Sequence, residues 1–137
     1  MLSYPPSLKQ IPSDTGSVSV EREDGKGDVL AYLNATPQQG SEMLSTWPSF
    51  RVEHHLEEDD VSVQLVAKAT NLDFRGGKGS CVIDDYVTPV QYNSYREIAC
   101  FVVGHRASSV LIAAGPTSGW QSVAAELERA VAAYEVQ

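Results

Sequence analysis

The stretch GSCVIDDYVTPVQYNSYREIACF, residues 79–101, decides how this 137-residue chain folds. It holds the chain's two cysteines, Cys81 and Cys100, one on each side of a Thr-Pro-Val-Gln-Tyr-Asn-Ser turn sequence. In an antiparallel hairpin, opposed residues have numbers that add to a constant. If the cysteines oppose each other, the turn is centred between Val90 and Gln91. The same register sets Ile83 against Ile98, Tyr86 against Tyr95 and Asp85 against Arg96, all favourable cross-strand pairs. It also sets Asp84 against Glu97, and like charges directly opposite are unfavourable. We expect a bulge or solvent exposure there; the alternative is two carboxylates sharing a site with a raised pKa or a cation.

Opposed cysteines bring their Cβ atoms within disulfide range. Closing a loop of about 20 residues stabilises a fold by roughly 3 kcal/mol in the chain-entropy model. We therefore read Cys81 and Cys100 as a disulfide, which implies an oxidising compartment. The alternative is a pair of small buried thiols in a reduced cytosolic protein.

Outward from the hairpin, strands dominate. SVSVERE (17–23) and DVLAYLNAT (28–36) alternate apolar and polar residues around the turn sequence Asp24-Gly25-Lys26-Gly27, which predicts a first hairpin. The segment 41–58 spaces Met43, Leu44, Trp47, Phe50 and Val52 roughly as a helix, broken near Trp47–Pro48. VSVQLVAKA (61–69) reads as a strand, and Arg75-Gly76-Gly77-Lys78-Gly79 as a flexible turn. REIACFVVG and SSVLIAAG are apolar on both faces, so the sheet is covered on both sides. Trp120, Val123, Ala124, Leu127, Val131 and Tyr134 form one helical stripe, with Ser118 as N-cap and Gln121 completing a capping box. Residues 1–16, rich in proline, read as an extended arm or edge strand of a single domain spanning 1–137.

A net charge of −8 argues against nucleic acid, because phosphate backbones are held by clustered Lys and Arg. The same charge disfavours anionic membrane surfaces. No apolar run approaches the ~18 residues of a membrane span. MLSYPPSLKQIPSD has no charged region followed by an apolar one and is not a signal peptide. With the disulfide, this leads us to expect a secreted or surface-tethered protein whose signal or lipid anchor is missing from the sequence; the alternative is cytoplasmic.

Chemistry-bearing motifs are sparse. His54 with Glu57 and Glu58 would share a helix face, but a solvated acidic helix end accounts for them. Arg75–Ser80 lacks the spacing of a phosphate loop, and a strand rather than a helix follows it. No G-x-S-x-G is present. A cysteine with His105 could in principle form a dyad, but a paired cysteine is structural. Asn34-Ala35-Thr36 matches a glycosylation triplet of the kind that arises by chance. We assign no catalytic residue, cofactor or metal. Trp47, Phe50, Tyr86, Tyr92 and Tyr95 are candidate binding residues, with Tyr92 at the hairpin tip. The alternative for these aromatics is a cluster that closes one end of the core.

The end of the chain, two apolar strands followed by GPTSGWQSVAAELERAVAAY (115–134), resembles PsbP/Mog1-like domains, in which a last strand leads through a Pro-containing turn into a helix with an early Trp and a late aromatic. GDVLAYLNATPQQG (27–40), GSCVIDDYVT (79–88) and YREIACFVVG (95–104) resemble uncharacterised secreted or lipid-anchored actinobacterial proteins. The resemblance implies an α+β fold, an α/β/α sandwich around an antiparallel sheet, used as a binding or assembly module rather than an enzyme. Known members serve unrelated partners, such as a photosystem or a small GTPase, so the fold alone names no partner.

The expected function is a non-enzymatic, extracytoplasmic binding domain with a protein or cell-envelope partner. The partner surface would include the 86–95 hairpin end and the 75–79 loop. The alternative is a small-molecule carrier or sensor with a pocket between the sheet and the 41–58 helix, lined by Trp47 and Phe50. A third reading, a hydrolase or metal enzyme, would need Asp84 and Glu97, or His54, to converge in a cleft.

Overall fold

The 79–101 hairpin forms in the register that its cysteines predict. A computed structural model describes residues 1–137. In it Gly77–Val87 (β5) pairs with Ser94–Gly104 (β6), setting Cys81 against Cys100, Ile83 against Ile98, Asp85 against Arg96 and Tyr86 against Tyr95. Cys81 and Cys100 are joined by a disulfide. No bulge interrupts the pair Asp84–Glu97 and neither side chain meets solvent, which corrects the expectation for these two residues.

Lys9–Ile11 (β1), Val18–Glu23 (β2) and Val29–Pro37 (β3) form a meander on one side of the sheet. In the β2–β3 turn the Asp24 carboxylate accepts from the backbone N–H groups of Lys26 and Asp28, an Asx-type turn closed by Gly27 at φ 87°. The chain then crosses one face as a helix, Trp47–Glu57 (α1), to the far edge strand, Val61–Phe74 (β4). From there β5, β6 and Ser108–Pro116 (β7) return to pair with β3. The result is one antiparallel sheet of seven strands in the order β1-β2-β3-β7-β6-β5-β4. A short 3-10 turn, Thr117–Gly119, leads into the last helix, Trp120–Ala132 (α2).

Alternation along the central strands sends neighbouring side chains to opposite faces. Ile98, Cys100 and Val102 of β6 join Leu111 and Ala113 of β7 beneath Val123, Leu127 and Val131 of α2. The intervening Ala99 and Phe101 lie on the other face with Val82 and Trp47 of α1. The architecture is an α+β sandwich with a helix on each face of the sheet, as both-face apolarity in β6 and β7 requires.

Local details differ from the sequence expectations. Residues 41–46 are not helical. Pro48 lacks the N–H that an interior helical bond needs and sits in the first turn of α1 instead. Gly119, not Ser118, is the N-cap of α2, because the 3-10 turn displaces the helix start; the Ser122 hydroxyl donates back to the Gly119 carbonyl at 2.8 Å. β4 extends five residues beyond its predicted end and is exposed along most of its length. Register irregularities at Val61/Gln64, Leu65/Ala67 and Ala69/Leu72 break its alternation, as on edge strands shaped against further pairing. Of the Arg75–Gly79 segment only Arg75 and Gly76 form the turn, a tight one, and Gly77–Gly79 already belong to β5. Gly76 holds φ 87°, a Cβ there would collide with the Val136 carbonyl, and Val136 donates to the Arg75 carbonyl at 3.0 Å.

The disulfide bridges adjacent central strands across a separation of 19 residues. Reducing it, or replacing both cysteines by serine, is expected to lower unfolding stability by about 3 kcal/mol. Urea titration with and without reductant measures this, and coincident curves would contradict it.

Candidate functional site

Three residues four apart in α1, Trp47, Arg51 and His55, share the helix face turned to the sheet. Beneath them lie Asp84 of β5 and Glu97 of β6, directly opposed in the ladder and both 0% exposed. Arg51 grips Glu97 with two parallel bonds, Nε to Oε2 and Nη2 to Oε1, each 2.8 Å. His55, 1% exposed, stands between three carboxylates. Its Nδ1 meets Asp60 Oδ2 at 2.8 Å, and its Nε2 lies 3.1 Å from both Glu97 Oε2 and Asp84 Oδ1. Asp60 is brought back to the histidine by the turn that ends α1, where Asp59 takes φ 64° and the Asp60 N–H bonds the His55 carbonyl at 3.0 Å.

One ring N–H cannot serve two acceptors equally. The Nε2 direction aligns with Glu97, so Asp84 has a close ionic neighbour but no hydrogen-bond donor on either buried oxygen. An anionic group without donors is costly to bury. Burial pushes the Asp84 carboxyl up, to about 6, against the opposing pull of His55. Burial acts in the same direction on Glu97, but the Arg51 and His55 hydrogen bonds outweigh it and hold that carboxyl down at about 2. For His55 burial alone would favour the neutral ring; the surrounding carboxylates overcome it and raise the imidazole to about 10. Two equivalent-looking carboxylates are thus driven apart by which one the cations reach.

Tyr86 stacks on His55 with ring centres 4.2 Å apart, and Tyr95 packs beside Tyr86 at 5.8 Å. Burial pushes the Tyr86 phenol up. These two tyrosines close the end of the cluster. Trp47 is buried, stacks with Phe50, packs against Phe101 and donates its indole N–H to the Ala99 carbonyl at 2.9 Å. Among the candidate aromatics, Tyr92 is the one set out in solvent, 72% exposed beside Val90 at 85%. His54 stays outside the cluster; it pairs with Glu58 at 2.6 Å and borders a cleft beside Phe50 and Arg51. Asn34 is fixed within β3: its amide donates to Ser19 Oγ and the Val18 carbonyl, and its oxygen accepts from Thr36. Sequence reasoning missed His55 and Arg51. The four-residue spacing from Trp47 was the available signal.

α1 lies over β4, β5 and β6, leaving the other half of this sheet face open. Cross-strand register runs the Glu97 row on through Ala114 to Tyr32, and the Ala99 row through Ile112 to Asn34. Tyr32, Asn34, Thr36, Val110 and Ile112 are half-buried there. At one end a cleft of about 320 Å³ is bounded by Asn34, Thr36, Trp47, Phe50 and Arg51. At the other, a cleft of about 440 Å³ lies among Asp28, Leu30, Tyr95, Pro116 and Ser122. None of Asp84, Glu97 or His55 lines either cleft.

No family model matches the chain, and no curated protein matches it in sequence. Solved structures share its fold. A Pseudomonas aeruginosa protein of unknown function, PA94, suggested to be a regulator, superposes with a TM-score of 0.68 at 8% identity, over 95% of this chain and 97% of that one. LpqN of Mycobacterium tuberculosis, involved in cell envelope biogenesis, superposes with a TM-score of 0.60 at 13% identity, over 96% of this chain and 79% of LpqN. A structure from Bacteroides thetaiotaomicron gives 0.55 at 15% identity, with this chain spanning 44% of its length. At such identities the likeness is one of fold.

Proposed function

We propose that this chain is a PsbP/Mog1-like, extracytoplasmic binding or assembly domain without catalytic activity, which engages a protein or another component of the cell envelope. The observation that carries the reading is the half-open sheet face of β3 and β7, flanked by a cleft at each end. Half-buried side chains with a mixed apolar and polar surface are what a partner can cover at low cost. The exposed Tyr92–Val90 tip extends that surface at the end where Tyr95 lines the larger cleft. The disulfide supports an oxidising compartment, and the fold of LpqN supports an envelope setting. No helix is long and apolar enough to cross a membrane. The burial of His55, Asp84 and Glu97, none of which lines either cleft, supports a non-enzymatic role.

Photocrosslinking in the cells that make the protein tests this. A benzoylphenylalanine at Tyr32 or Tyr92 is expected to trap an envelope component, and one at Glu128 on the outer face of α2 is not. Adducts equal at all three positions, or absent at all three, would sink the proposal. A second reading, a small-molecule carrier, is favoured by the 320 Å³ cleft beside Phe50 and Arg51, within the range of ligand pockets. It predicts trapping of a low-mass ligand at Tyr32 without any protein adduct.

A further inference from the structure

We propose that His55, Asp84 and Glu97 form a buried site for one small divalent cation of the zinc, cobalt or manganese type. Their ligand atoms converge, with His55 Nε2 at 3.1 Å from both Asp84 Oδ1 and Glu97 Oε2 and all three groups within 4.8 Å of one another. A metal at ~2.0–2.2 Å from nitrogen and oxygen ligands sets those ligands about this far apart. The second observation is Asp84 itself, fully buried with both oxygens lacking a donor. A cation would supply what the protein withholds from that carboxylate.

The surrounding contacts have the form of a metal site's outer shell. A ligating histidine hands its other ring N–H to a carboxylate, which fixes tautomer and ring direction. Asp60 occupies that place at Nδ1, at 2.8 Å and itself buried. Arg51 likewise orients Glu97. Charge argues the same way. Three carboxylates face one permanent cation, Arg51, so a divalent ion on a neutral imidazole leaves the cluster neutral. A proton on His55 leaves it one charge short. One nitrogen and two carboxylate oxygens suit zinc, cobalt and manganese, while imidazole disfavours magnesium and calcium.

The test refolds the whole chain from denaturant in chelator, then again with zinc or cobalt, so that access to a sealed site cannot limit binding. The expected result is one tightly held ion per chain, with cobalt producing visible absorption bands and a paramagnetically shifted histidine resonance. Asp84→Asn should weaken binding at least tenfold, and Asp60→Asn by about 10–100-fold, as for outer-shell partners of metal-bound histidines. His54→Ala should leave binding unchanged, which separates the site from the surface pair His54–Glu58. Failure of the folded wild-type chain to retain zinc, cobalt or manganese would overturn the proposal. So would retention that Asp84→Asn does not weaken, or a cobalt form with no shifted histidine resonance, a readout that needs no variant to fold.

Discussion

Replacing Glu97 by alanine is expected to lower unfolding stability by about 3–5 kcal/mol, measured by urea titration at neutral pH in the presence of chelator. The size follows from what the carboxylate leaves behind. Arg51 loses both of its aligned bonds, and His55 loses the acceptor at Nε2, while both remain between α1 and the sheet. Removing one partner of a buried ion pair strands the other's charge in a medium that solvates it poorly. The neighbouring residue supplies the contrast. Asp85 pairs bidentately with Arg96 on the opposite face, where the two side chains are 21% and 30% exposed. Asp85→Ala should therefore cost no more than about 1 kcal/mol. Equal losses for the two substitutions would mean that water reaches the Glu97 cluster, and the reading of it as sealed would fail.

Trp47→Ala is expected to cost a similar ~3–5 kcal/mol, the range for deleting a buried aromatic side chain. The indole anchors the smaller of the two cores. It sits with ring centres 5.9 Å from both Phe50 and Phe101, and its N–H holds the Ala99 carbonyl. Because α1 positions Arg51 and His55 from the same face, losing Trp47 should loosen the helix over the charged cluster. Amide hydrogen exchange distinguishes this from general destabilisation: amides of α1 should lose protection more than those of α2, whose core lies across the sheet. Uniform loss in both helices would contradict a separate anchoring role for Trp47.

The hairpin at 79–101 was readable because its information is local. Opposed residues in a hairpin share one arithmetic relation, so the cysteine pair and the Ile, Tyr and Asp–Arg pairs all reported the same register. The β2–β3 hairpin and the buried stripe of α2 were readable for the same reason, since turn chemistry and helical period act over a few residues. Reading failed where neighbours came from elsewhere. The alternation in 61–69 reads as a strand, but its place at the sheet edge, which leaves most of its length exposed, is set by the rest of the fold. His54 and His55 are adjacent in a sequence of like character, and the docking of α1 put one half-exposed at a cleft edge and the other among three carboxylates.

The sequence by itself determined the hairpin register that opposes Cys81 to Cys100 and Asp84 to Glu97, because strand register and turn position are set by residues near one another. Only the tertiary structure decided that this pair is buried, that His55 and Arg51 complete it, and that half of the same face stays open. Burial belongs to whatever covers a face. Here that cover is α1, whose Arg51 and His55 lie 46 and 42 residues before Glu97; the apolar run of β6 calls for cover on both faces but not for these two side chains.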